Sequence, residues 1–199
     1  YPAAHPGGVH SLQLRAPQDH HVAVVADNAS HSFAAGGFSL GIWILVDEAL
    51  GTARSLISKY RTTVATAREY DFRFSTTGYP ILEIYDESVP ADWTSTCTVN
   101  ALTPFVWQFV VATFSGTEGA SAIVHYLNAV AETPVAVETG LFVAMEDTAT
   151  PVLIGARDLT ASPTQDFDGR IALPFITGTA LTAANVITLK GLGSTLLGL

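Results

Sequence analysis

Phe38-Ser39-Leu40-Gly41-Ile42-Trp43-Ile44 and Trp107-Gln108-Phe109-Val110-Val111-Ala112-Thr113-Phe114 are two runs dense in β-branched and aromatic residues. Side chains alternate between the faces of a strand, so Phe38, Leu40, Ile42 and Ile44 share one face and Trp43 stands on the other. Both faces of the first run therefore carry apolar bulk. A strand of this kind belongs inside a sandwich of two packed sheets, covered on both sides or curved around a groove.

Working outward, strand-like segments recur with turn signals between them: Ser11 to Leu14, His21 to Val25, Phe38 to Val46, Ser55 to Lys59, Glu69 to Ser75 and Ile81 to Tyr85. Tyr70, Phe72 and Phe74 alternate onto one face of the fifth. Phe105 to Phe114, Ala122 to Leu127, Ala136 to Phe142, Val152 to Ala156 and Gly169 to Thr177 follow. Short strands at this spacing predict an all-β fold, an antiparallel two-sheet jelly-roll sandwich. Pro174 inside the last segment predicts an edge position or a bulge, because proline cannot donate to a ladder.

One short C-terminal helix is expected. Thr182 can cap it, and Ala183 to Leu189 give about two turns before Gly191. Residues 1–10, with two prolines and two glycines, read as an irregular N-terminal arm; 11–190 form the sandwich; 191–199 form an apolar C-terminal tail.

The chain has 199 residues, enough for one domain of this type, and no run reaches the length of a membrane-spanning helix. Charged residues are 14% of the chain, against about 25% in ordinary soluble domains. Lys59 and Lys190 are the only lysines. Such a surface is weakly defended against self-association. The net charge of −9 lacks the clustered lysine and arginine that a nucleic-acid groove needs and disfavours an anionic membrane. Neither nucleic acid nor membrane insertion is expected. Cys97 has no partner for an intrachain disulfide. Tyr1 in place of an initiator methionine reads either as endoproteolytic maturation, which fits an exported or assembly-matured protein, or as an N-terminus given incompletely.

The order of these segments resembles the concanavalin A-like lectin/glucanase jelly roll, and within it the laminin-G-like group. Ser11-Leu12-Gln13-Leu14 and Val22-Ala23-Val24 match its opening strands, Phe38 to Trp43 its aromatic strand, and Leu56-Ile57-Ser58-Lys59 its next. Trp107, Val110, Ala112, Thr113, Phe114 and Gly116 match the pattern built on the second tryptophan. Tyr126-Leu127-Asn128, Leu153-Ile154-Gly155 and the run from Phe167 through Gly169 and Ile171 complete the order. Two departures stand out. Ala129 replaces the glycine after the hairpin asparagine, which predicts a different turn, and Ala172-Leu173 replaces an acidic pair. The resemblance implies a fold that commonly holds glycans, with calcium as its usual cation.

Relatives with glycosidase activity carry Glu-x-Asp-x-Glu on one strand; Glu83-Ile84-Tyr85-Asp86-Glu87 places Asp86 on the face opposite Glu83 and Glu87. No Gly-x-Ser-x-Gly elbow is present and Cys97 lacks a histidine pattern, so no catalytic residue is assigned and no enzyme is expected. Five of six histidines fall at His5, His10, His20, His21 and His31 without the spacing of a zinc site. No metal or other cofactor is assigned; calcium has loop acids available at Asp166, Asp168, Glu146 and Asp147, though turns use such residues as readily.

Trp93, in a segment that reads as a loop, could stack on a sugar or anchor an interface, with Asp92, Tyr85 and Asp86 nearby; equally it could close the end of the sandwich. Leu196, Leu197 and Leu199 mark the tail as an assembly contact. The reading that gathers these features is a non-enzymatic structural or interaction protein on a surface assembly. It would be a virion decoration or cement protein or an extracellular assembly component, with protein partners, a homo-oligomeric state and glycan adhesion. The alternative is a calcium-aided carbohydrate-binding module or lectin. Either places the chain outside the cell or on a virion surface.

Overall fold

A computed structural model of the chain describes residues 3–4, 10–15, 21–61, 67–88, 91–97, 100–116, 122–132, 134–139, 142–158 and 164–199. Most of the expected N-terminal arm lies outside them. The described strands are β1 (Ala3–Ala4), β2 (His10–Leu14), β3 (Ala23–Val25), β4 (Phe38–Val46), β5 (Arg54–Tyr60), β6 (Arg68–Phe74) and β7 (Pro80–Asp86). They continue as β8 (Ala91–Cys97), β9 (Gln108–Phe114), β10 (Ile123–Leu127), β11 (Val130–Glu132), β12 (Pro134–Thr139), β13 (Val152–Ile154) and β14 (Gly169–Thr177). One α-helix, α1 (Ala183–Leu197), closes the chain.

Two seven-stranded antiparallel sheets result. Sheet I has the order β1-β2-β14-β4-β9-β10-β11 and sheet II the order β12-β8-β7-β6-β5-β13-β3. The alternation read from the sequence builds the core between them. Phe38, Leu40, Ile42, Ile44 and Val46 of β4 meet Tyr70, Phe72 and Phe74 of β6 and Leu82 and Ile84 of β7, all at most 1% exposed. Each such side chain contributes about 1.5–3 kcal/mol through burial, so this interlock dominates stability. Trp43 stands on the outer face of sheet I, as its parity requires, in a second apolar cluster with Phe109, Val111 and Tyr126.

Helix α1 covers that outer face by inserting Val186 and Leu197, both fully buried. Thr182 caps it through the reciprocal pair with Asn185. The expected stop before Gly191 is corrected: the helix runs through Gly191 and Gly193 and ends at Gly198 (φ 70°). There Leu199 N–H donates to the Ser194 carbonyl and Gly198 N–H to that of Thr195, a Schellman closure. Packing against Trp43 overrides the low helix propensity of the two glycines.

Three local expectations meet the structure differently. Residues 91–97 form strand β8, not a loop; with one large apolar residue the segment shows no alternation, and pairing with β7 and β12 makes it a strand. Pro174 marks a bulge, since the register of β14 with β4 shifts between Ala172 and Phe175, and it lies beyond Gly169–Ile171, the part of β14 that pairs with β2. The β10–β11 turn keeps the geometry that a glycine would favour, with φ 52° at Asn128 and 69° at Ala129. Asn128 pins it by accepting from Phe109 N–H and donating to the Phe109 carbonyl. An alanine held left-handed costs about 1 kcal/mol. Ala129→Gly should therefore raise the melting temperature by roughly 2–4 °C for a chain of this size; an unchanged or lower value in a thermal melt would show that the turn is not strained.

Candidate recognition face

Charge is divided unequally between the layers. β4 and β9, at the centre of sheet I, carry no charged residue, whereas β5 to β7 of sheet II carry Arg54, Lys59, Arg68, Glu69, Asp71, Arg73, Glu83 and Asp86. Because Tyr70, Phe72 and Phe74 point into the core, Asp71 and Arg73 stand on the outer face of sheet II, and Glu83 and Tyr85 join them from β7. Register sets Asp71 directly opposite Glu83.

Arg157 reaches this face from the segment after β13. Ser58 Oγ donates to the Ala156 carbonyl and Gly155 N–H to the Leu56 carbonyl, which lays residues 155–157 along β5. Arg157 Nη2 then donates to Glu83 Oε2 (3.2 Å) and to the Tyr85 hydroxyl (3.1 Å), and its Nε lies 3.2 Å from Asp71 Oδ2. Tyr85 donates to Glu83 (2.6 Å), Arg73 donates to the same carboxylate, and Ser55 donates to Asp71 (2.6 Å). The guanidinium of Arg157 lies 4.0 Å from the ring centre of Tyr60, and that of Arg68 lies 4.5 Å from that of Tyr85. Arg68 is also ion-paired with Glu87.

Electrostatics follow from depth. Complete burial of Asp71 pushes its pKa up to about 6, against the opposing pull of Arg157 and the Ser55 hydroxyl. Glu83 is partly buried, but hydrogen bonding from Arg73 and Tyr85 and the charges of Arg73 and Arg157 hold it below the usual carboxylate range. Burial, and then the Glu83 charge, raises the Tyr85 phenol. The side chains of Arg68, Arg73, Arg157 and Glu83 retain 32%, 16%, 17% and 13% exposure, while Asp71 retains none. Solvent therefore meets three guanidinium groups and the partly exposed carboxylates of Glu83 and Glu87, each held by a neighbouring ion pair.

Of the residues read from the sequence, Tyr85 joins this cluster. Asp86 serves the loop beside it: its carboxylate, 1% exposed, accepts from the backbone N–H groups of Ser88, Val143 and Ala144 and from the Ser88 hydroxyl. Asp92 and Trp93 lie on β8 opposite Tyr85 and Ile84, and their side chains are outside the described residues. Leu197, the last residue of α1, is fully buried against sheet I, while Leu196 and Leu199 are 43% and 55% exposed. The loop acids are spent locally. Glu146 accepts from the N–H groups of Glu87 and Ser88, Asp147 accepts from Ser32, and Asp166 and Asp168 lie beside Arg54. Among the described residues, no group of three or more His, Cys, Asp or Glu is placed to hold a metal.

A laminin-G family model described as the concanavalin A-like lectin/glucanases superfamily matches residues 16–187. The chain belongs to that superfamily. No curated protein sequence matches it. Its fold is similar to that of the Ruminococcus gnavus IT-sialidase CBM40 bound to alpha2,3 sialyllactose, at 13% identity and a TM-score of 0.61, covering 96% of each chain. A heptameric SAP-like pentraxin from Limulus polyphemus is similar at 14% identity and 0.53, covering 88% of this chain and 84% of that one. A Trypanosoma rangeli sialidase mutant displaying trans-sialidase activity matches at 13% identity and 0.55, over 81% of this chain. This chain spans only 24% of that sialidase's length. At these identities the likeness concerns the fold.

Proposed function

We propose that this chain is a non-enzymatic recognition domain that binds a glycan on the outer face of sheet II, acting outside the cell or on a virion surface. The observation that carries this reading is the mutual fixation of Arg73, Arg157, Glu83 and Tyr85 on the outer face of sheet II, where the two arginines and Glu83 keep a small solvent-facing part and Tyr85 is buried beneath them. A face required only to be soluble would carry freely moving charges. Here hydrogen-bonding groups are immobilised before any ligand arrives, which reduces the ordering cost of binding. Arg68, Arg73 and Arg157 balance Asp71, Glu83 and Glu87, so the face offers alternating donors and acceptors with little net charge. That suits the hydroxyl groups of a neutral saccharide, and the chain's charge of −9 disfavours polyanionic glycans.

The same arrangement favours binding over hydrolysis. Asp71 is sealed from solvent and Glu83 already accepts from two arginines and a tyrosine. Neither is placed to protonate a leaving oxygen, a step that needs an accessible acid.

Calorimetric titration with neutral and sialylated oligosaccharides tests the proposal. Arg157→Ala should weaken the neutral glycan at least tenfold, about 1.4 kcal/mol, and Arg157→Lys should recover part of the loss while circular dichroism stays unchanged. Failure to bind any oligosaccharide, or full affinity in a folded Arg157→Ala protein, would remove the basis for this reading. The companion reading, a structural component of a surface assembly, draws on a different face of the molecule, the apolar flank of α1.

A further inference from the structure

We infer that the exposed flank of helix α1, with the clefts beside it, is a twofold interface for a second copy of this chain. The inference stands apart from the glycan reading.

Helix α1 is apolar on two sides and only one is covered. Val186, Gly193 and Leu197 face sheet I. Leu189, Leu192 and Leu196 recur at spacings of three and four, the stripe by which one helix packs along another; Leu189 is half-buried against the Trp43 cluster, and Leu199 lies just past the Gly198 cap. Leu192 is 59% exposed. Between this stripe and the bulged part of β14 runs a cleft of about 540 Å³, floored by Trp43 and Phe109 and walled by Leu173, Pro174 and Phe175. A second cleft of about 580 Å³ shares Trp43 and is lined by Phe105, Val106, Trp107 and Leu199. Phe105 and Val106 are 65% and 51% exposed.

Three features select a second copy as the occupant. The surface is self-complementary: a leucine ridge runs beside an apolar cleft, and a twofold axis places each ridge in the other's cleft, as an isologous interface requires. Its charge also permits self-association. From Ile171 to Leu199 the only charged side chain is Lys190, in a chain of net −9, so the acidic excess lies elsewhere and does not oppose pairing through this surface. Area is sufficient as well. The exposed parts of Leu192, Leu196, Leu199, Phe105 and Val106 amount to roughly 500 Å², near the upper limit for a monomer's largest apolar patch. With the cleft walls added, this approaches the ~800 Å² that each partner gives to a stable interface. Pairing through sheet I leaves both outer faces of sheet II free and directed away from the contact.

Light scattering of the 199-residue chain, from micromolar to near-millimolar concentration, decides the matter. The expected result is a mass twice that of the single chain, reduced to one chain by Leu192→Glu with Leu196→Glu, at unchanged helix content and melting temperature. Ile187→Glu, on the opposite flank and 58% exposed, should leave the dimer intact. If the paired glutamates unfold the chain, Leu196→Cys in a Cys97→Ser background is to be oxidised, and a covalent dimer is expected. A monomer at every concentration overturns the inference, as does a higher oligomer, a dimer indifferent to Leu192 and Leu196, equal loss with Ile187→Glu, or no covalent dimer. None of these outcomes involves a glycan, so this inference and the proposed function fail separately.

Discussion

Lys59→Met should lower the stability of this domain by about 3–5 kcal/mol, the loss expected when one partner of a buried ion pair is removed. Lys59 is completely buried, and its ammonium lies 2.7 Å from Glu69 Oε1, also completely buried, and 2.9 Å from Asp27 Oδ1. It donates as well to the Thr148 carbonyl. Glu69 Oε1 in turn accepts from the Thr148 N–H and hydroxyl, so the pair ties residue 148 to β5 and β6. Methionine replaces the length of the side chain but leaves the Glu69 carboxylate sealed without a cation and the Thr148 carbonyl without its donor. Adding Glu69→Gln should recover part of the loss, because the stranded charge is what costs most. Denaturant titration of the two single variants and the double variant measures this coupling. A loss below about 1 kcal/mol, or simple additivity in the double variant, would mean that Lys59 is not paired as described.

Legibility in the sequence tracked burial. Phe38 to Val46 and Tyr70 to Phe74 alternate in a way that one arrangement of two sheets satisfies, and the sandwich follows from them. β8 was hidden because Ala91–Cys97 has no such alternation: its backbone bonds to β7 and β12 make it a strand, and these are tertiary facts. The helix end was hidden for a related reason. Local propensity places a stop at Gly191, but contact with Trp43, far away in sequence, extends the helix to Leu197.

The recognition face was half legible. Once Tyr70, Phe72 and Phe74 are assigned inward, Asp71 and Arg73 must face outward, and the same logic places Glu83 and Tyr85. Arg157 joins Glu83 across 74 positions and carries no local motif, so only the fold could bring it in. Trp93 reads as a loop residue because polar and small neighbours surround it in Ala91–Cys97. Its pairing opposite the core residue Ile84 is a property of register that no loop reading contains.

The same Gly→Ala change should have opposite signs at two positions of α1. At Gly191 no atom lies within 4 Å of an added Cβ, so alanine gains only helix propensity and stabilises by about 0.5–1 kcal/mol. At Gly193 the added Cβ would lie 2.2 Å from Trp43 Nε1 and 2.9 Å from Cε2. The indole is 3% exposed and stacked against Phe109 at 5.2 Å, so it has little room to withdraw, and the helix must lift. Lifting it uncovers Val186 and Leu197. Overpacking of this kind costs about 1–3 kcal/mol and outweighs the propensity gain. Gly193→Ala should therefore lower the unfolding midpoint and redden tryptophan emission as Trp43 meets water, whereas Gly191→Ala raises the midpoint with unchanged emission. Stabilisation by both substitutions would show that α1 is not seated on Trp43 through Gly193. The apolar flank that the seated helix presents would then need a different explanation, because the close approach at Gly193, together with Val186 and Leu197, sets the position of Leu192 and Leu196 over the cleft.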